Sequence, residues 1–437
     1  MQEKYLHYLW RMKRLPLHQF KLINYPKSSV YIENIGWYNQ ESGPDFFNGS
    51  VILDNIRWQG NIEMHIKSSD WYVHKHHLDK AYQNVILHVV YEYDKPVYIE
   101  GKEIPTIELK PYIEKEHLNR YIKMINHENH FHIPCYRNIK SHIISLHQQI
   151  EIAFFNRIER KGIALVEKID DRDFYSLFYH AILKSVGGKT NVLALEQLGN
   201  MLPYSILLRE SWNPVHVESL LFGCSGLLSI SCDDEYFLHL CKNWQLLKRK
   251  YNLSEMNRES WKFGGTRPNS FPTMLLAQLS IFLIQFKLEN IYKLDSQALL
   301  TRIESISSNS MNVYWQNHYL FGVETNCKKN QFSPLFKQNL LINGVIPLLV
   351  ALKYMHNDFS YMEKAIDLAE NIPPENNNII NYWKSLNIFP KNVLESQGLL
   401  ELKNEFCNFK KCLSCKIGAA ILEYENKEID TKNSILL

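Results

Sequence analysis

"GPDFFNGSVILDNIRWQGNIEMHIKSSDW", residues Gly43 to Trp71, decides the fold of the first part of this chain. Its first half, "FFNGSVIL", and its second, "IRWQGNIEMHIK", are strand-forming runs separated by Asp54 and Asn55, residues suited to a short turn. Strand side chains alternate between the two faces of a sheet, so Glu63, His65 and Lys67 share one face while Ile62, Met64 and Ile66 point the other way into a core. Asp45 stands at the mouth of the paired strand, where an antiparallel return brings it near Glu63. Carboxylates gathered in this way suit a hard divalent cation such as Mg²⁺ or Mn²⁺. Asp45 and Glu63 are the expected ligands, with Lys67 or His65 orienting the attacking water. An antiparallel sheet with one wet face gives the same alternation, so a solvated stripe of cross-strand ion pairs is the other reading.

Outward from the hairpin, the sequence alternates and is rich in β-branched and aromatic residues from Ser29 to Pro111. A helix is expected before it, Glu3 to Arg14, and another across His74 to Gln83. From Ser141 onward the apolar residues recur with helical period, as in "SLHQQIEIAFFNRIERKGIALVEKI" and "DEYFLHLCKNWQLLKRKYN". The class is therefore α+β, a mixed sheet followed by a predominantly helical region. The expected divisions are a strand-rich domain over 1–115, a connector over 116–140, a helical domain over 141–395, and a cysteine-bearing segment over 396–437 that packs back on the first domain.

The 437 residues carry 49 Lys and Arg against 46 Asp and Glu, so bulk charge neither demands nor excludes a nucleic-acid partner. The N-terminal "MQEKYLHYLWRMKRL" has no uninterrupted apolar core of a secretory signal, and "MLLAQLSIFLIQF" is too short to span a bilayer. The expectation is a cytoplasmic protein without a membrane partner. Nothing in the sequence fixes an oligomeric state.

Ionisable residues remain dense just beyond the hairpin, where Asp70, His74, His76, Asp79 and His88 follow within two dozen residues. His88 lies in an apolar strand and is the most inward-facing candidate; the others make a second metal reading, a Zn²⁺ or Mn²⁺ hydrolase using His65, His74, His76 and Asp79. Cys407, Cys412 and Cys415 form a second constellation, in which thiolates at x4 and x2 spacing can hold Zn²⁺ or an iron–sulfur cluster, with Cys135 as the fourth ligand. Cys224, Cys232, Cys241 and Cys327 stand singly and read as small buried hydrophobes. The loop "WKFGGTRPNSFPT" offers Arg267 to an anion, although an arginine bracing helix ends fits it equally.

Pro44-Asp45 followed eighteen residues later by Glu63-Met64-His65, inside a helix, three strands, helix, strand order, resembles the PD-(D/E)XK nuclease superfamily. The resemblance implies a restriction-endonuclease-like sheet and Mg²⁺- or Mn²⁺-dependent hydrolysis of phosphodiester bonds in nucleic acid. The chain departs from the motif in carrying His65 where the superfamily has lysine. A catalytically inactive nucleic-acid or protein binding module on the same sheet is therefore the alternative. Some cluster-bearing nucleases of that superfamily staple a distant cysteine to a C-terminal triplet, and the cysteine layout here is similar. More broadly, "GPDFFN", "GNIEMHIKSSDWYVHKHHLDKAYQNVILHVVY", "LLFGCSGLL", "FGGTRPNSFPTMLLAQL" and "CNFKKCLSCKIGAAIL" resemble one family of bacterial proteins of unknown function.

Overall fold

The computed structural model describes residues 2–39, 41–126, 133–167, 174–286, 290–306, 312–325 and 334–423, which leaves Cys327 outside the described residues. They divide into two compact units, one of residues 1–149 with 403–437 and the other of residues 150–402.

The first unit begins with α1 (Glu3–Arg11), followed by β1 (Val30–Asn34), β2 (Trp37–Tyr38), β3 (Phe46–Leu53) and β4 (Ile56–Lys67). Asp54 and Asn55 both have positive φ (46° and 65°), the conformation that matches a two-residue turn to the twist of the β3 and β4 hairpin. The crossover after β4 is not the helix expected over His74–Gln83. It consists of α2 (Asp70–Val73) and two 3-10 turns, His76–Leu78 and Lys80–Tyr82. Lys75 is left-handed (φ 63°) and the Asp79 side chain accepts from the Ala81 N–H, so backbone and capping chemistry break the segment into single turns. The chain then enters β5 (Val85–Glu92), a small ribbon of β6 (Tyr98–Ile99) and β7 (Lys102–Glu103), and β8 (Thr106–Glu108).

The sheet order is β1-β3-β4-β5-β8, with β2 also on β3. β3 is antiparallel to both of its neighbours, β1 and β4, whereas β5 is parallel to β4 and β8 parallel to β5. Ile62 and Met64 of β4, Leu87 and Val89 of β5 and Ile107 of β8 lie in one core with Tyr5, Leu6 and Leu9 of α1. The alternate residues Glu63, His65 and His88 are equally buried on the opposite face, near a smaller apolar cluster of Trp71, Tyr82, Val85, Val97 and Ile104. The unit continues through α3 (Lys115–Ile125) into α4 (Ile143–Val166), and it recovers the chain at its end in the helix Lys416–Glu423.

The second unit is almost wholly helical, as the apolar periodicity predicts, with helices over Phe174–Val186, Pro214–Cys224, Glu235–Tyr251 and Pro272–Gln285 on one continuous core. Its helix Pro334–His356 is long and apolar enough to cross a membrane by length and composition, but 72% of its apolar window is buried inside the protein, the property of a core helix. Sheet followed by helices makes the protein α+β.

Candidate metal centre

β3 and β4 position the two acids by a reciprocal clamp. Phe46 pairs with Ile62, so Asp45 and Glu63 stand next to that pair across the two strands, and a bulge between Phe46 and Gly49 turns the mouth of β3. The Asp45 N–H donates to Glu63 Oε2 at 3.0 Å, and the Met64 N–H donates to Asp45 Oδ2 at 3.0 Å. Each carboxylate thus has one oxygen fixed by the other strand's backbone, which orients the second oxygen without a flexible side-chain partner. Gly60 permits the close approach of the next strand, because a Cβ there would lie 2.6 Å from the Asn84 carbonyl oxygen.

The parallel register of β4 and β5 sets Glu63 beside His88. His65 Nδ1 lies 2.8 Å from His88 Nε2, and its other nitrogen, Nε2, lies 3.2 Å from His74 Nδ1 and 3.7 Å from Glu63 Oε1. His76 Nε2 is 3.3 Å from the same Glu63 oxygen, and the His76 ring stacks on Tyr82 with centroids 3.8 Å apart. Among the described residues, His65, His74 and His76 form the group whose ligand atoms all lie within 4.8 Å of one another. Trp71 is wholly buried beneath them, its ring 5.4 Å from His76 and 5.6 Å from His88.

Two further groups enter from α1 that sequence reasoning missed. His7 Nε2 is 3.2 Å from Asp45 Oδ2, at an angle that makes it an ion-pair neighbour rather than a hydrogen bond. Glu3, one helical turn earlier, feels Asp45 and Asp70. The available signal was a histidine between the apolar Leu6 and Tyr8 in an amphipathic helix, with an acid four residues before it on the same face.

The electrostatics follow from burial of like charges. Desolvation, and then Asp45, push the Glu63 carboxyl up to about 9. Desolvation with Asp45 also raises Glu3 to about 7. Desolvation lowers His76 to about 4 and His88 to about 3, and it lowers His65 as well, helped by the neighbouring imidazoles. The imidazoles are therefore neutral at physiological pH and carry free lone pairs. No lysine or arginine among the described residues pairs with Asp45 or Glu63.

The remaining sequence candidates fall elsewhere. Lys67 is exposed and joins no ion pair with a described residue; its backbone N–H instead donates to Asp70 Oδ2 at 2.9 Å. Asp79 caps the second 3-10 turn and acts on His76 only through its charge. Arg267 is exposed in the helical unit, at the start of the short turn Pro268–Ser270.

Beside His7 opens a cavity of about 470 Å³. Lys4, Arg11, Lys410 and Lys411 line it with Tyr38 and Phe409, and among the described residues no carboxylate does. Arg11 lies over the Tyr38 ring at 5.1 Å and Lys411 over Phe409 at 5.3 Å.

Cys135, Cys407, Cys412 and Cys415, expected to share a metal, all lie in the first unit. Cys135, Cys412 and Cys415 are buried, Cys407 is half-buried, and all four are free thiols. Each of their six pairs is close enough for one thiol's charge to act on the other, although no three of the sulfurs lie within 4.8 Å of one another.

A family model described as "Protein of unknown function (DUF2851)" matches residues 3–378, a span that includes every donor of the β3 and β4 cluster and ends before the cysteine triplet. Searches of curated proteins and of solved structures gave no match.

Proposed function

We propose that this chain, which belongs to the DUF2851 family, is a metal-dependent hydrolase of phosphodiester bonds in nucleic acid. The observation that carries the reading is the meeting of Asp45 and Glu63 in a buried pocket with neutral imidazoles and without a cationic side chain. A buried Glu63 carboxyl that desolvation and the neighbouring Asp45 push toward protonation is costly to ionise unless a cation neutralises it. The strand arrangement supports the same reading to the extent that antiparallel β1, β3 and β4 are followed by β5 parallel to β4, with the acids at the β3 and β4 pair.

The donor set fits a divalent transition metal better than Mg²⁺. Glu63 Oε2 accepts from the Asp45 N–H while its Oε1 faces the imidazole group, where His65 Nε2, His74 Nδ1 and His76 Nε2 converge. Imidazole nitrogen with carboxylate oxygen favours Mn²⁺ or Zn²⁺, whereas Mg²⁺ prefers oxygen and water. A bound ion supplies a Lewis acid for the phosphoryl oxygen and lowers the pKa of its water. The protein's part is positional. His88 takes the remaining nitrogen of His65 and so fixes that ring's tautomer and direction. The backbone clamp holds both acids, and Trp71 walls off the sheet side of the site.

The cationic cavity beside His7 supports an anionic polymer as substrate. Lys4, Arg11, Lys410 and Lys411 can neutralise successive phosphates, while Tyr38 and Phe409 offer faces on which bases stack. A second reading, a hydrolase of other substrates built on the three histidines alone, rests on their mutual closeness. Cleavage assays separate the two. Labelled single- and double-stranded DNA and RNA are incubated with protein and Mn²⁺, Zn²⁺ or Mg²⁺. Metal-dependent cuts that Asp45→Asn abolishes support the proposal; wild-type protein inert on every strand in every metal overturns it.

A further inference from the structure

We infer that Cys135, Cys407, Cys412 and Cys415 hold an iron–sulfur cluster that fixes the basic wall of the cavity. The four thiols come from two distant parts of the sequence and face one another inside one unit. Cys135 lies in the turn leading to the 3-10 segment Ile139–His142, and the helix Lys416–Glu423, which starts one residue after Cys415, packs on that segment and on the turn Cys412–Ser414. The approach is close: a Cβ on Gly418 would stand 2.1 Å from the Cys412 carbonyl oxygen. The Cys415 N–H bonds back to the Cys412 carbonyl at 3.2 Å, and the Lys416 N–H donates to Gln149 Oε1 at 2.8 Å, so the backbone carrying the thiols is itself tied down.

All four thiols are free, and a core does not need four cysteines in one unit's interior for packing. Their spacing selects the occupant. A single zinc ion with bonds of about 2.3 Å draws tetrahedral sulfurs to about 3.8 Å of one another. Here no three sulfurs lie within 4.8 Å of one another, wider than a single zinc ion draws them and open enough for a multi-iron core.

The position explains what a cluster does for the protein. Phe409, Lys410 and Lys411 lie between Cys407 and Cys412, and all three line the cavity. Lys410 is left-handed (φ 51°), a conformation that a lysine adopts at a cost and that needs its surroundings to hold it. Ligation on either side of this tripeptide anchors it. The inference does not depend on the hydrolase reading.

The test uses the full chain purified without oxygen, with iron, zinc and acid-labile sulfide measured beside the visible absorption spectrum. The expected protein is brown, with iron and sulfide in equal amounts. Cys135→Ser and Cys412→Ser should each lose most of the iron and colour, while Cys241→Ser, in the helical unit, should lose neither. Hydrogen exchange of β4 peptides shows whether the serine variants are folded; colour retained by a folded Cys135→Ser chain overturns the four-cysteine assignment. Stoichiometric zinc without iron, or no metal after anaerobic supply of iron and sulfide, overturns the cluster. Cluster loss with cleavage intact leaves the hydrolase reading standing, and the reverse result removes that reading alone.

Discussion

Replacing Glu63 with glutamine should stabilise the metal-free first unit, the reverse of what removing a buried, hydrogen-bonded side chain usually does. The Glu63 carboxyl is raised from 4.5 to about 9, first by desolvation and then by Asp45. At pH 7 the folded chain therefore holds a proton that the unfolded chain has released, across about 2.5 pH units at ~1.36 kcal/mol each, a penalty of about 3 kcal/mol. A group raised in this way favours folding most below pH 4.5, and its contribution is lost as the pH rises through the folded value near 9. Glutamine keeps an oxygen for the Asp45 N–H and has no such charge to suppress. The assay is hydrogen exchange of β4 peptides in graded urea with EDTA, which isolates this unit from the helical one. Glu63→Gln should gain about 3 kcal/mol at pH 7 and show a flatter dependence between pH 5 and 9 than wild type. Mn²⁺ at about a thousand times its Kd should reverse the order, since it then adds ~4.1 kcal/mol to the wild-type fold alone. A glutamine variant less stable than wild type in EDTA refutes the claim that the pocket is short of positive charge.

Three other outcomes follow from the same geometry. His74→Ala and His76→Ala, both at least partly solvent-facing, should weaken Mn²⁺ binding by about 10- to 100-fold in titration calorimetry while leaving β4 exchange unchanged. Lys67→Ala should leave cleavage within about threefold of wild type, and His65→Ala should abolish it, because His65 reaches Glu63 and the exposed Lys67 does not; a large loss from Lys67→Ala would show that the exposed lysine acts after all. Gly60→Ala should destabilise the first unit by roughly 1–3 kcal/mol in urea, since its Cβ meets the Asn84 carbonyl and Ile86 Cγ2, at 2.6 and 2.5 Å.

The sheet was legible because β4 is buried on both faces only in its middle, so its alternation still separates Ile62 and Met64 from Glu63 and His65. The Asp54-Asn55 turn was enough to bring Asp45 near Glu63, but their direct pairing comes from the one-residue shift at the bulge between Phe46 and Gly49, which no sequence pattern announces. His88 was readable as a polar residue inside an apolar strand. The crossover was misread because helical spacing of histidines says nothing of a left-handed Lys75, and single turns leave no periodic signature. Glu3 and His7 escaped notice because α1 reaches the site only through tertiary packing on the sheet, a proximity no local pattern encodes. Lys67 shares the face of Glu63 by parity, but at the last residue of β4 that face has already opened to solvent.

The most direct test of the central claim is anomalous diffraction from crystals of the full chain grown with Mn²⁺. The account predicts a manganese peak bonded to Glu63 Oε1 and to at least one of His65 Nε2 and His76 Nε2, absent from crystals of the Glu63→Gln chain. A manganese-saturated crystal with no peak among Asp45, Glu63 and the histidines would contradict it.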